Sequence, residues 1–385
     1  MMLHVAVVNR HPDDTLGGSE LQCDLFARGL VDRGHRATYV ALHADTTGAG
    51  PAAGPYDRVR LDAMASRDPA SIAGAVVASG ADVVYWRYGR QQLDGVVARL
   101  ARAPRPVPLV LAVAHVDDVS RWSSRPAVGG GLRDRGADLR DRLAHRRSWR
   151  AFRDVAAVAA QREDFLGRVP VPLQRHIPNV VGPTVVPFRW PRPYVAWVAS
   201  IKARKRPEQL VPLAQVLASA GIDLLVAGRV TDVRYRSLAT HDPAVPNLHP
   251  LGPLPPAEAA GLIAGARCLA VTFRPEGLSN AMIQAWWHGV PTVSLDYDPD
   301  GTIAGEGLGA VCGGDASRFR TTTLAYATDG ALARAAGDRA RDHARGRFDL
   351  ASNVGLLDGL LQDVVAGRGR PRDGRRLSRR GPRQR

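Results

Sequence analysis

Short apolar runs alternate with helix-like segments along this chain, and the alternation occurs twice. The first series consists of LHVAVVNR, ATYVAL, ADVVYW, VPLVLAVAHV and DVAAVAA. The second series consists of YVAWVAS, DLLVAGR, CLAVTF and PTVSLD. Such runs are typical of strands that are buried on both faces of a parallel sheet. Alternation of strands and helices therefore predicts two parallel sheets with right-handed helical crossovers.

A proline-rich stretch, GPTVVPFRWPRP, separates the two series and is typical of a linker. We therefore predict an α/β fold in which two Rossmann-like, doubly wound domains face each other across a cleft. The predicted domains are 1–183 and 184–348, both of ordinary domain size. The amphipathic text GLLDGLLQDVV predicts a terminal helix over 349–365, and 366–385 is predicted to be a disordered basic tail.

Net charge is the one feature that favours a nucleic-acid-binding protein, the alternative from another functional class. The chain of 385 residues carries a net charge of +15. Its last stretch, GRGRPRDGRRLSRRGPRQR, contains nine Arg and one Asp, which is +8 of that +15. No helix-turn-helix, zinc-finger or base-stacking motif accompanies the charge, and aromatic residues make up only 6%. We therefore predict no specific nucleic-acid partner.

Cysteine usage and hydropathy bear on the compartment. Cys23, Cys268 and Cys312 lie far apart, which argues against a disulfide framework or a zinc site. No apolar run approaches the ~18–20 residues that cross a bilayer, so a cytoplasmic protein is expected. The basic stretch 132–154 carries eight Arg interleaved with apolar residues. This pattern predicts either a helix that lies on an anionic membrane surface or a helix whose solvent-exposed face carries Asp–Arg pairs.

Two loops, each following the first predicted strand of one series, have features of a phosphate-binding site. Gly17 and Gly18 precede the first helix, where small residues and free helix amides favour a phosphate. Their spacing is not G-x-G-x-x-G, so a plain tight turn is the alternative. The loop 200–207 has four cations, of which Lys202 and Lys205 are the only lysines in the chain. Such a cluster suits a diphosphate, and a solvated basic turn is the alternative.

A third loop, RPEGLSNAMIQAWWHGVPTV, follows the strand CLAVTF. Ser279 or Asn280 can cap a helix that ends at Gly289. Glu276 precedes this helix, and Gln284 lies eight positions later, about two turns along it. A carboxylate accepts hydrogen bonds from sugar hydroxyls, and a glutamine can both accept from and donate to a ribose diol.

The stretch EGLSNAMIQAWWHGVPTV resembles the E-x7-E region of retaining GT-B glycosyltransferases of family 4. The basic loop is similar to that family's G-R-L-x-x-x-K element, with Lys205 at the lysine position. GGSE resembles its N-terminal glycine turn, and DYDPDGTI resembles the text after its second Glu. AHVDDVS, which contains His115, resembles its acceptor-side segment. The resemblance extends to about residue 360.

This resemblance implies transfer of a sugar from a nucleotide diphosphate sugar with retention, without a required metal and with no cofactor besides that co-substrate. The acceptor, which is lipid-linked, a saccharide or a small molecule, would bind the first domain and the donor the second, in a pathway such as polysaccharide biosynthesis. Lys205 would neutralise the leaving diphosphate, Glu276 would orient sugar hydroxyls and His115 would contact the sugar. The implied donor contacts are Gly17, Gly18, Ser200, Lys202, Arg204, Arg206, Gly277, Leu278, Ser279, Asn280 and Gln284.

Two positions depart from the family pattern. Gln284 stands where the family has its second Glu, and Ser200 stands where it has an Arg. Lys202, Arg204 and Arg206 are the candidates to supply the missing charge. These departures keep open a nucleotide-sugar epimerase, or a sugar-binding relative that has lost transfer.

Two acidic clusters have alternative interpretations. Asp296 and Asp298 match the D-x-D metal signature of the other main glycosyltransferase fold, and Asp300 follows closely. We expect a loop near the donor instead of a metal site. Asp117 and Asp118 are either a general-base pair or polar residues that line the cleft or cap a helix.

Overall fold

The structure is a computed structural model of the 385-residue chain. It describes residues 1–14, 17–43, 54–87, 92–120, 132–274 and 277–368, without the side chains of 132–138, 140, 141 and 144. The strands form two all-parallel sheets, one of seven and one of six strands. We call the parts built on them the first and the second domain.

The first domain begins with a strand that is buried along almost its whole length and continues as a doubly wound sheet. Its strands are β1 His4–Arg10, β2 Arg36–Leu42, β3 Asp57–Arg60, β4 Val83–Trp86, β5 Leu109–Val113, β6 Ala157–Ala160 and β7 Gln174–His176. Its helices are α1 Gly18–Asp32, α2 Pro69–Ser79, α3 Leu93–Ala101 and α4 Leu132–Ala151. The strand order is β3-β2-β1-β4-β5-β6-β7, so the order reverses between β1 and β4.

The second domain repeats this arrangement. Its strands are β8 Tyr194–Val198, β9 Asp223–Ala227, β10 Leu248–Gly252, β11 Leu269–Val271, β12 Thr292–Ser294 and β13 Gly309–Val311. Its helices are α5 Leu210–Ala218, α6 Pro256–Ala264, α7 Asn280–Trp287, α8 Thr302–Gly305, α9 Ala316–Thr328 and α10 Gly330–Arg347. The order β10-β9-β8-β11-β12-β13 places its reversal between β8 and β11.

The last helix, α11 Leu350–Val365, returns to the first domain. Its apolar face joins the core beside β1 and α1, where Leu357 and Leu361 are fully buried with Phe26. Asp358 fixes the register, because its Oδ1 lies 3.0 Å from Nε2 of the buried His35. The chain therefore crosses between the domains twice.

The predicted α/β class and the two parallel sheets are confirmed. The residue limits of the domains stay a prediction, and the tail lies outside the described residues from position 369 onward. The third-loop helix ends at Trp287, with Gly289 two residues later in the left-handed region at φ 72°. In the described part of the chain, no helix combines the length and the apolarity needed to cross a membrane.

Candidate active site

A cleft of about 700 Å³ lies between the carboxyl ends of the two sheets. Loops that follow β1, β4, β5 and β6 line it from the first domain, and loops that follow β8, β9, β10 and β11 line it from the second. Both strand-order reversals open onto it. Open parallel sheets bind ligands at such reversal points.

Most of the residues predicted for the site line this cleft. They are Gly17, Gly18, His115, Ser200, Lys202, Lys205, Gly277, Leu278, Ser279, Asn280 and Gln284. Among the described residues, Arg204 and Arg206 are the two predicted donor contacts that do not line it. Glu276 lies outside the described residues.

Lys205 is held almost completely out of solvent at the wall of the cleft. The residue is 8% exposed, and its Nζ lies 3.8 Å from the centroid of the Phe273 ring. The hydroxyl of Thr272 donates a hydrogen bond to the Lys205 carbonyl, which ties the basic loop to the end of β11. An ammonium group over an aromatic face and away from water interacts strongly with a ligand charge.

Arg229, which sequence reasoning missed, is a further cation on the second-domain side. It lines the cleft beside Ser200, and its carbonyl accepts a 2.8 Å hydrogen bond from the amide of Ile201. Arg229, not Arg204 or Arg206, thus joins Lys202 near the position where the resemblance expects an Arg. The sequence does indicate Arg229, because it follows the carboxyl end of the buried strand β9 after a single glycine.

The turn before α7 contacts the first domain at close range. A Cβ atom on Gly277 would lie 1.9 Å from the carbonyl oxygen of Ala114, so only glycine allows this approach. The Gln161 side chain donates a 3.0 Å hydrogen bond to the Leu278 carbonyl. Gln284 lies farther along α7, half-buried, and lines the same cleft.

Asn280, the first residue of α7, bridges the two domains through its side chain. Its Nδ2 donates a 2.8 Å hydrogen bond to the carbonyl of Gly18, at the start of α1. Its Oδ1 accepts a 2.8 Å hydrogen bond from Nδ2 of Asn179, which follows β7. The beginnings of α1 and α7 are therefore adjacent, and their amides border the same space.

The ring of His115 is oriented by the loop that follows β5. Its Nδ1 accepts a 3.0 Å hydrogen bond from the Asp117 amide, so Nε2 carries the proton in the neutral ring. Asp118 Oδ2 accepts hydrogen bonds from the amides of Ala114 and His115, both at 2.9 Å. Asp118 therefore caps this turn, which is the structural interpretation of the acidic pair.

Asp298 of the D-x-D segment and Asp300, which follows it, have protein partners. Asp298 accepts hydrogen bonds from the amides of Ile303 and Ala304, at 2.8 and 3.2 Å. Asp300 forms an ion pair with Arg162 of the first domain. Within the described ranges, no group of three His, Cys, Asp or Glu side chains has the geometry to hold a metal ion.

Comparison with known proteins places the fold. No protein-family model and no curated sequence matches the chain. Solved structures match at low identity over nearly the whole chain. Sucrose-phosphate synthase from Thermosynechococcus elongatus aligns with a TM-score of 0.70 and 16% identity, over 95% of this chain and 100% of that chain. Anabaena HepE in complex with UDP-glucose aligns with a TM-score of 0.66 and 14% identity, over 94% and 100%.

A third structure, WaaG, is described as a glycosyltransferase involved in lipopolysaccharide biosynthesis. It aligns with a TM-score of 0.67 and 16% identity, over 94% of this chain and 100% of that chain. The protein has the GT-B fold. At these identities the likeness concerns architecture, so the reaction has to be argued from the cleft itself.

Proposed function

We propose that the protein is a glycosyltransferase that moves a sugar from a nucleotide diphosphate sugar to an acceptor, with retention and without a metal. The observation that carries the proposal is the clustering of Lys205, Lys202 and Arg229 in one cleft with the start of α7 and with Gln284. Three cations from two adjacent loops match the charge of a diphosphate. The GT-B neighbours support a transferase of this class, and HepE was solved with UDP-glucose.

The leaving group is the diphosphate, on which negative charge grows as the bond to the sugar breaks. Lys205 is buried and held against Phe273, so its charge is in place before the reaction begins. Charge that is already oriented toward the position where charge develops stabilises a transition state without reorganisation cost. Lys202 and Arg229 would share the remaining phosphate charge.

The sugar and the nucleoside would bind on either side of these cations. Glu276 would orient the donor-sugar hydroxyls, and Gln284 would hold the ribose as both acceptor and donor. On the first-domain wall, His115 lines the cleft with its Nδ1 bonded to the Asp117 amide, and its ring would contact the donor sugar. The proposal includes membership in glycosyltransferase family 4, retention at the anomeric carbon and the residue roles just given. It requires no cofactor besides the nucleotide sugar.

The acceptor would approach from the first domain and would be lipid-linked, a saccharide or a small molecule, in a cytoplasmic pathway such as polysaccharide biosynthesis. Leu139 and Leu143 on α4 are exposed, and Arg142, Arg146 and Arg147 lie on the same helix. This combination supports an anionic membrane surface as a partner. Co-flotation with vesicles that contain anionic lipid, compared with neutral vesicles, tests this part.

The experiment that tests the function is calorimetric titration with UDP, GDP and ADP, in EDTA and again with magnesium. Binding of one nucleotide in EDTA is expected, with UDP the first candidate. The matching nucleotide sugars then serve as donors, and proton NMR of the product reads the anomeric configuration. No binding in either buffer would mean that Gln284 and Ser200 have dismantled the site.

A nucleotide-sugar epimerase is the second candidate, because Gln284 removes one of the two carboxylates that the transferase pattern contains. It would consume the donor without any acceptor and would release an altered sugar. Incubation of the protein with the donor alone, followed by analysis of the sugar, separates the two reactions. Unchanged donor excludes the epimerase, and slow hydrolysis to the same sugar supports the transferase.

A further inference from the structure

Arg87 is a buried cation on the first-domain wall of the cleft, directly after β4. The residue is 8% exposed. Nη2 donates a 2.5 Å hydrogen bond to Oδ1 of Asn179, and Nε has no partner in the described part of the chain. A guanidinium has five N–H donors, and besides the bond to Asn179 it makes a hydrogen bond to the Tyr85 hydroxyl, so Nε and part of the fork are left for a ligand.

Within the described ranges, no carboxylate is in ion-pair contact with Arg87. Asn179 is neutral, and so is the buried Tyr85 beside it, because burial raises the pKa of that phenol to about 12. Glu20 interacts with Arg87 electrostatically but forms no ion pair with it, and burial raises the pKa of its carboxyl. Buried charges in proteins are normally paired or bind ligands, because an unpaired one is costly.

The surroundings hold Arg87 in place before any ligand arrives. Asn179 is itself fixed on two sides, by Asn280 Oδ1 at 2.8 Å and by Asn353, whose Nδ2 donates to its carbonyl at 3.3 Å. The Ser19 hydroxyl donates to the carbonyl of Arg87 at 3.2 Å. A preorganised guanidinium loses little side-chain entropy when an anion binds.

The position of Arg87 separates it from the donor's cations. Lys202, Lys205 and Arg229 line the cleft from the second domain, whereas Arg87 and His115 line it from the first. Building on the proposed transferase function, we propose that Arg87 binds an anionic group of the acceptor, either a phosphoryl or a carboxylate group. The acceptor class is then a phosphorylated or acidic sugar or an equivalent anionic alcohol.

The test uses the full-length protein saturated with UDP in EDTA and titrated with inorganic phosphate, followed by calorimetry or phosphorus NMR. Wild-type protein is expected to bind phosphate while UDP stays bound. R87Q is expected to weaken phosphate binding by roughly 10-fold or more, since a charged hydrogen-bonding group is lost, and to leave UDP binding within about twofold. The matched control, R229Q, should show the reverse pattern.

Several results would overturn the proposal. Phosphate that fails to bind the UDP-saturated wild type, or that binds R87Q equally well, removes the anion subsite. Phosphate that displaces UDP, together with weak UDP binding by R87Q, assigns Arg87 to the donor. If wild-type protein binds no nucleotide, the proposed function fails. The anion site is then tested separately, by comparing the phosphate affinity of nucleotide-free wild type with that of nucleotide-free R87Q.

Folding and ligand type are controlled separately. Circular dichroism melts check each variant, and R87M, which keeps an unbranched apolar stem, replaces R87Q if the latter does not unfold cooperatively. Acceptor assays then compare a neutral sugar with its phosphate and with its uronic acid. Preference for either anionic form that disappears in R87Q identifies the group, and equal use of all three contradicts the proposal.

Discussion

The Asn280 side chain of the second domain donates a hydrogen bond to the Gly18 carbonyl of the first, over 2.8 Å. This contact joins the first turns of α1 and α7, the two helix starts that border the cleft. The two residues are 262 positions apart in the chain. Because the bond crosses between domains, it ties one wall of the cleft to the other.

The Gly18–Asn280 contact predicts a coupled pair of substitutions. A Cβ on Gly18 would lie 2.6 Å from Asn280 Nδ2, so G18A forces the bond apart. G18A and N280A are each expected to lower the melting temperature of the nucleotide-free protein, and G18A should add little in the N280A background. G74A, where nothing lies within 4 Å of the added methyl, controls for Gly→Ala itself. Equal effects of G18A in both backgrounds would argue against the contact.

Lys205 is expected to matter for turnover more than for folding. K205A should lower kcat by about 10²–10³-fold, because a cation aimed at the leaving diphosphate is lost. K202A, which removes an exposed lysine of the same loop, should cost less. Steady-state rates with the identified donor, together with melts, check both. A folded K205A with near-normal turnover would remove Lys205 from the mechanism.

Replacing Arg229 or Arg206 by Gln is expected to change the affinity for the nucleotide to different extents. R229Q should weaken nucleotide diphosphate binding about 10-fold, because Arg229 lines the cleft. R206Q should leave the affinity within about twofold, because Arg206 does not line it. Titration with the nucleotide that binds wild type measures both. Reversed effects would show that the basic loop rearranges when the donor binds.

Because α11 packs on the first domain, replacing a buried leucine of this helix by Ala should lower the free energy of unfolding much more than replacing an exposed one. Leu361 is fully buried, so L361A should destabilise the first domain by about 2–5 kcal/mol. Leu356, on the same helix, is 42% exposed, and L356A should cost under about 1 kcal/mol. Denaturant unfolding with a probe in each domain measures both. Similar losses would mean that α11 does not stay docked.

Asp358 predicts a loss of stability in acid. Burial acts to raise the pKa of Asp358, but hydrogen bonds from Gln362 and Arg33 and the nearby His35 lower it overall. A carboxyl with a depressed pKa stabilises the fold above its ordinary value of 3.8, and that contribution disappears as the pH falls below it. D358N should therefore be less stable at pH 7 and less sensitive to acid between pH 5 and 2. An unchanged acid slope would contradict this role.

Much of the fold could be predicted because the decisive signals are local. A strand such as LHVAVVNR is buried on both faces, so its apolar character appears directly in the text. The position of a loop after such a strand then predicts which residues meet at the cleft. Lys205 and Gln284 were found in this way, and His115 through the resemblance of its segment to the family.

Other features depend on contacts between distant segments, which leave no local pattern. Whether Arg204, Arg206 or Arg229 reaches the cleft is decided by the left-handed backbone at Arg206 and by the pairing of Ile201 with Val230. The close approach of Ala114 explains Gly277 only once both domains are in place.

The sequence by itself determined the two parallel sheets and the loops that form the cleft, since hydrophobic burial and the alternation of strands with helices are written in short-range patterns. Only the tertiary structure decided which domain receives α11, that Asn280 bridges to Gly18, and that Arg87 lies buried without an ion pair. Each of these depends on packing between segments more than 80 residues apart or on their order in space. Such packing is set by the complementarity of whole surfaces, which no short stretch of the chain contains.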